Sequence, residues 1–162
     1  MKFGVWGEGE IMAITDEMII EATQELYSRA LRKVPDDAKA AIAAAMETES
    51  NESAKRTLEL QLRSAELAEK KDTFVCSDSG FPTYFVKVGS KAELACDFKA
   101  SIRKGYEVLV DTIEPPLLKH VTNPITLERG YHGKDMPIVS YDFESGADYV
   151  EIVCAPKALG SG

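Results

Sequence analysis

Apolar residues recur at helical spacing through the first part of the chain. Between Thr15 and Val34 they fall at Ile19, Leu26, Tyr27, Ala30, Leu31 and Val34, which predicts an amphipathic helix. Thr15 or Asp16 can cap its start and Pro35 stops it. Pro35-Asp36-Asp37 suits the opening turn of a second helix running to Thr48, whose many alanines favour helix by themselves. After a polar break at Ser50–Ser53, a third helix is predicted to about Lys71, with Leu58, Leu62 and Ala65 on one face. The periodicity changes at Thr73. Phe81 to Val88 is β-branched and aromatic and ends at Gly89, which predicts a strand. Helical spacing returns over Lys91–Ile113, with Leu94, Phe98, Ile102, Tyr106 and Leu109 as its stripe, and Glu114-Pro115-Pro116 ends it. Leu117–Asp135 carries Pro124, Gly130 and Gly133 and is expected to be a long loop, a class that is often functional. Ile138–Phe143 and Tyr149–Cys154 alternate around Glu144–Asp148, which predicts a hairpin. Phe3, Val5 and Trp6 fit either a small docking strand or an unstructured leader.

Helices first, then strands with one helix among them, predict an α+β fold: N-terminal helices followed by a mixed sheet with one further helix. The expected organisation is a single domain over 1–162, helical over 1–72 and strand-rich over 73–162. At 162 residues, 44% apolar and 28% charged, the chain can bury a core of its own. No apolar run has the length to cross a bilayer, and the start Met1-Lys2-Phe3-Gly4 does not resemble a signal peptide. The expectation is therefore a cytoplasmic protein without a membrane partner. A net charge of −8 repels phosphate backbones, so no nucleic-acid partner is expected. An anionic substrate would need local cations that override that field.

The cysteines are Cys76, Cys96 and Cys154. An odd and sparse set argues against a disulfide framework, and none lies in a CxxC pair. Three thiolates can hold a cluster if the fold brings them together. In Cys76-Ser77-Asp78-Ser79-Gly80-Phe81-Pro82, a thiol, two hydroxyls and a carboxylate precede an apolar strand. On pattern alone a buried cysteine beside a polar turn is the better reading, since free cysteine is among the most buried residue types. His120 and His132 can bind an anion or move a proton, but solvated loop histidines are the better reading of both.

The stretch Val75–Gly89 is similar to the CxDTG region of class I fumarases and of the L-tartrate dehydratase α subunit, with Ser79 in place of threonine. Arg103-Lys104-Gly105-Tyr106 resembles that family's R-x-G-Y helix end, and Ala155-Pro156-Lys157-Ala158-Leu159-Gly160-Ser161 its A-x-K-G-G-G-S loop. The resemblance covers about residues 73 to 162. It implies the N-terminal part of a larger iron–sulfur hydro-lyase, in which a [4Fe–4S] cluster with one open iron acts as Lewis acid on a substrate hydroxyl. By position, Cys76 would be the cluster ligand and metal-binding residue. Asp78 would assist proton transfer. Ser77, Lys119, Gly160 and Ser161 would meet the substrate, a small hydroxy-dicarboxylate. The implied assembly is a homo-oligomer or a complex with a second subunit, because the family's other cluster cysteines match neither Cys96 nor Cys154. Leu118 or Lys119 falls where the family has a carboxylate-clamping arginine, and lysine lacks its bidentate fork. Tyr131-His132-Gly133-Lys134-Asp135 stands where the family has N-T-G-x-N. A second class of function stays open: a cluster-free interaction or regulatory module built on the same fold, with no activity of its own.

Overall fold

The computed structural model describes residues 1–3, 13–76, 80–119 and 121–157. In chain order the elements are β1 (Lys2–Phe3), β2 (Ile14–Thr15), α1 (Asp16–Arg32), α2 (Asp36–Thr48), α3 (Glu52–Lys71), β3 (Phe81–Gly89), β4 (Leu94–Ala95), α4 (Phe98–Thr112), β5 (Val121–Thr122), β6 (Arg129–Gly130), β7 (Ile138–Glu144) and β8 (Val150–Lys157). The fold is α+β, as the sequence predicts. Among the described residues no helix is long and apolar enough to cross a membrane. The chain forms two compact units, Met1–Ser28 with Asp78–Gly162, and Arg29–Ser77.

The first unit is built on a four-stranded mixed sheet in the order β1-β8-β3-β7. β3 runs parallel to β7 and antiparallel to β8. Strict alternation along β3 buries Pro82, Tyr84, Val86 and Val88 on one face, and β8 adds Val150 and Ile152 to it. The core is completed by Ile19, Ala22 and Tyr27 of α1 and Ile102, Tyr106 and Leu109 of α4. A buried phenol needs a hydrogen-bond acceptor. Tyr84 donates to the Thr23 carbonyl (3.1 Å), Tyr27 to the Gly80 carbonyl (3.1 Å) and Tyr106 to the Tyr131 carbonyl (2.6 Å). Gly105 lets α4 lie against α1, since a Cβ there would sit 2.7 Å from the Ile20 carbonyl oxygen. This gives the Gly-Tyr pair of the Arg103–Tyr106 segment a structural meaning: one residue permits close packing and the next anchors the loop at Tyr131.

Three expectations need correction. First, β7 and β8 do not pair as a hairpin; they flank β3 on opposite sides. The link between them has to cross about 10 Å over the end of β3. It is held there by Gly89 N–H donating to Tyr149 O, Ser90 N–H to Glu144 O and Lys91 N–H to Ala147 O. Second, the helix expected from Lys91 begins at Phe98. Asp97 caps it by accepting from Ala100 N–H, and Leu94 instead pairs in parallel with Ile14 through β4 and β2. Third, the long loop contains a small antiparallel ribbon, β5–β6. Its turn is organised by the Asn123 side chain, which accepts from the Ile125 and Thr126 amides. At the N-terminus, Lys2 and Phe3 pair with Glu151 and Val150, the docking-strand alternative, while Val5 and Trp6 lie outside the described residues.

The second unit holds the last turn of α1, then α2 and α3. Helix α2 spans Asp36–Thr48 as its sequence predicts. Asn51 caps α3 by accepting from the Ser53 and Ala54 amides. Lys39 binds Glu69 at 2.8 Å and Asp36 at 2.9 Å. The apolar stripe of α3 buries Ala65 and Ala68 fully, while α2 buries no residue fully, so this unit rests on a thinner core than the sheet does.

Candidate functional site

Strand register places residues that flank three segments singled out in the sequence at one end of the sheet. Phe81, which leaves the Cys76–Gly80 segment, pairs with Lys157, which enters the glycine loop. Thr83 pairs with Ile138, so the Gly133–Pro137 segment ends at the same edge. A cavity of about 420 Å³ opens there, lined by Phe81, Val121, Thr122, Lys134, Met136 and Ile138, together with Asp135. It is mainly apolar, with a cation, a carboxylate and a hydroxyl among its lining side chains. That composition suits a small ligand oriented by a few polar groups.

Local chemistry explains how the edges are set. Gly80 adopts φ 60°, the left-handed region that favours glycine, and its carbonyl is held by Tyr27. The Tyr131 hydroxyl donates to Leu117 O at 2.6 Å while the Tyr131 carbonyl accepts from Tyr106. These two bonds pin both ends of the Leu117–Tyr131 loop. Gly133 leaves room for Met136, whose sulfur would lie 2.8 Å from a Cβ at that position.

Cys76 belongs to the second unit and is exposed. It follows a well-defined lead-in. Asp72 ends α3 in the left-handed conformation and meets Arg32 Nε at 3.3 Å. The Arg32 guanidinium lies 4.9 Å over the Phe74 ring, and Val75 N–H donates to Leu31 O. The buried reading of Cys76 is therefore replaced by an exposed thiol. Ser77, Asp78, His120, Gly160 and Ser161 lie outside the described residues. Lys119 is exposed, two residues before Val121 of the cavity wall. Lys134, the cation that does line the cavity, carries no signal in the sequence beyond its place in the Tyr131–Asp135 segment. His132 is not without partners: Nε2 is 3.5 Å from Asp111 and Nδ1 is 4.0 Å from Glu107.

The remaining cysteines have other environments. Burial pushes the Cys154 thiol up from 9.0 to about 12, against an opposing pull from the Tyr84 hydroxyl. Cys96 is raised by burial and then by Asp16 and Asp97. A cluster ligand must be a thiolate. On donor chemistry Cys76 fits one ligand position, whereas Cys154 and Cys96 are both held toward the neutral thiol. No group of three His, Cys, Asp or Glu side chains able to hold a metal ion occurs among the described residues.

Comparison with known proteins agrees with these segments. The chain is 29% identical over 152 residues to a Methanocaldococcus jannaschii protein named "Putative L(+)-tartrate dehydratase subunit alpha", covering 88% of this chain and 51% of that protein. The chain thus spans about half the length of the curated relative it matches. The profile of the Fumarate hydratase (Fumerase) family matches residues 20–162, and the chain belongs to that family.

Proposed function

We propose that this chain is the part of an iron–sulfur-dependent hydro-lyase that contributes one cluster ligand and one wall of the substrate pocket. The reaction class is addition or removal of water on a small hydroxy-dicarboxylate, of the fumarate or tartrate type. The observation that carries the reading is the register: the strand leaving Cys76–Gly80 and the strand entering the glycine loop pair at Phe81 and Lys157, beside the cavity. Cys76 is the ligand in this reading. A [4Fe–4S] cluster, when bound, supplies a Lewis acid for the substrate hydroxyl. Asp78 assists proton transfer, Ser77, Gly160 and Ser161 line the pocket, and Lys119 supplies positive charge for a carboxylate. Lys134 adds a second cation in the cavity lining. The other cluster ligands come from a second subunit or further polypeptide, which fits a relative named as a subunit alpha and a match to half its length. A cytoplasmic location follows from the same reading.

The test is anaerobic co-expression with the polypeptide that carries the rest of the family fold. The expected result is a brown complex that dehydrates malate or tartrate, and a Cys76→Ala complex that loses both colour and turnover. Retention of the cluster and full activity by Cys76→Ala would remove Cys76 from its role. A colourless, stable, inactive complex with the unaltered chain would favour the interaction-module alternative.

A further inference from the structure

Lys99 and Arg103 lie one turn apart on α4, a spacing that brings side chains within about 5–6 Å of each other at Cβ. Both line a cavity of about 370 Å³ in the first unit. Met136, Pro137, Ile138 and Val139 give it an apolar surface, and Tyr141 adds a phenol ring. The acidic residue of the lining is Asp135. The Arg103 Nε lies 3.6 Å from Glu107, a long and exposed ion pair.

The charge of the surroundings makes this pair unusual. Residues 29–77 hold nine basic and nine acidic side chains, so the whole net charge of −8 belongs to the first unit, with ten basic against eighteen acidic. Two cations line this cavity, against Asp135 in the same lining and Glu107 beside Arg103, so charge is locally balanced within a body that is otherwise strongly acidic. Low-dielectric walls strengthen the pull of each cation on an anion in the cavity. Neither cation is used in the hydro-lyase reading. The cavity shares Asp135, Met136 and Ile138 with the one at the sheet end, but Lys134 serves that one, and Lys99 and Arg103 serve this one.

We propose that the cavity beside Lys99 and Arg103 is a second binding site, for a small monocarboxylate with a flat apolar body. The carboxylate sits between the ammonium and the guanidinium, whose planar donors match its two oxygens. The apolar body lies on Met136–Val139. Asp135 lines both cavities and does not separate them; the Lys99–Arg103 pair, found in this lining and not in the one at the sheet end, does.

The probe is sodium benzoate, titrated into the full chain and followed by NMR at the amides of Met136, Ile138 and Val139. Saturable shifts are expected, with a dissociation constant on the order of 1–10 mM for so small a ligand. Benzamide, with the same ring and no charge, should bind at least about tenfold more weakly. In the K99Q/R103Q protein benzoate should weaken about tenfold while benzamide is unchanged. Absence of saturable shifts, equal binding of benzoate and benzamide, or unaltered benzoate affinity in K99Q/R103Q would each overturn the proposal. The benzamide comparison needs no variant, and no arm needs a cluster or turnover, so the outcome is independent of the hydro-lyase reading.

Discussion

At the scale of single residues, the cysteines divide by environment. Cys76 is exposed, Cys96 and Cys154 are half-buried, and burial raises both of the latter thiols. The thiolate is the reactive form. Brief treatment with iodoacetamide near neutral pH should therefore label Cys76 first, with Cys154 last, as read by peptide mass spectrometry. Labelling of Cys154 at the rate of Cys76 would show that the sheet does not protect it. Cys154 also gives the fold an alkaline limit. In the folded chain its thiol stays neutral up to about 12, whereas in the unfolded chain it ionises from its ordinary 9.0. The unfolded state thus releases the proton first as pH rises. The contribution is whole below pH 9 and is lost between about 9 and 12. Tyr84, raised well above its ordinary value by burial, acts in the same direction. Urea midpoints measured across this window should fall with pH, and fall less steeply in Cys154→Ala.

At the scale of elements, the crossover between β7 and β8 is the feature on which the sheet order depends. A Cβ on Gly89 would sit 2.4 Å from the Ala147 carbonyl oxygen and 2.7 Å from that of Tyr149, both backbone atoms that cannot swing aside. Gly89→Ala should cost on the order of 2–3 kcal/mol, the range of overpacking against fixed atoms. Gly146→Ala on the same link meets no neighbour within 4 Å but has φ +81°. It should cost about 1–2 kcal/mol through that dihedral alone. Denaturant melts of the two variants measure the difference, and equal losses would mean that the link does not hug the strand end. The same crossover explains what the sequence could and could not reveal. Helices α1 to α3 were legible because their stripes and stops, such as Leu58-Leu62-Ala65 and Pro35, are local. The strands were legible from alternation. Their partners were not, because two alternating runs joined by Glu144–Asp148 look the same whether they pair with each other or straddle a third strand. Leu94 misled for a related reason: it fits the α4 stripe, yet Asp97 provides the cap and Ile14 provides a strand partner. At the site, the motif-bearing segments were legible one by one. The pairing of Phe81 with Lys157, and the place of Lys134 in the cavity wall, depend on register, which spacing does not encode.

At the scale of the whole molecule, the net charge and the tyrosine and tryptophan chromophores fall in one unit. All six tyrosines and Trp6 fall within Met1–Ser28 and Asp78–Gly162, the same residues that hold the net charge of −8. Residues 29–77 are electrically balanced and contain neither tyrosine nor tryptophan. Like charges spread over a folded surface repel, and folding brings them closer than they are in the open chain. Salt shortens the range of that repulsion from about 30 Å at 0.01 M to about 8 Å at 0.15 M. The surface pairs of the first unit are weakened by the same screening, but they are long and exposed: Lys87–Glu144 is 3.7 Å and Arg103–Glu107 is 3.6 Å. Pairs of that kind are worth at most about 1 kcal/mol each. Relief of repulsion should therefore win in this unit. In residues 29–77, where Lys39 meets Asp36 and Glu69 at under 3 Å and no net charge needs relief, salt should be neutral or slightly unfavourable. Thermal melts followed by tyrosine near-ultraviolet circular dichroism report the first unit alone. Between those two sodium chloride concentrations the tyrosine midpoint should rise by about 2–4 °C, which corresponds to a gain on the order of 1 kcal/mol. A Lys39→Met variant supplies the contrast, because it removes ion pairs from the balanced unit only and should leave the rise intact. A tyrosine midpoint that falls with salt would mean that attraction between paired charges outweighs repulsion in the acidic unit. The locally balanced charge around Lys99 and Arg103 would then lose the acidic background against which it stands out.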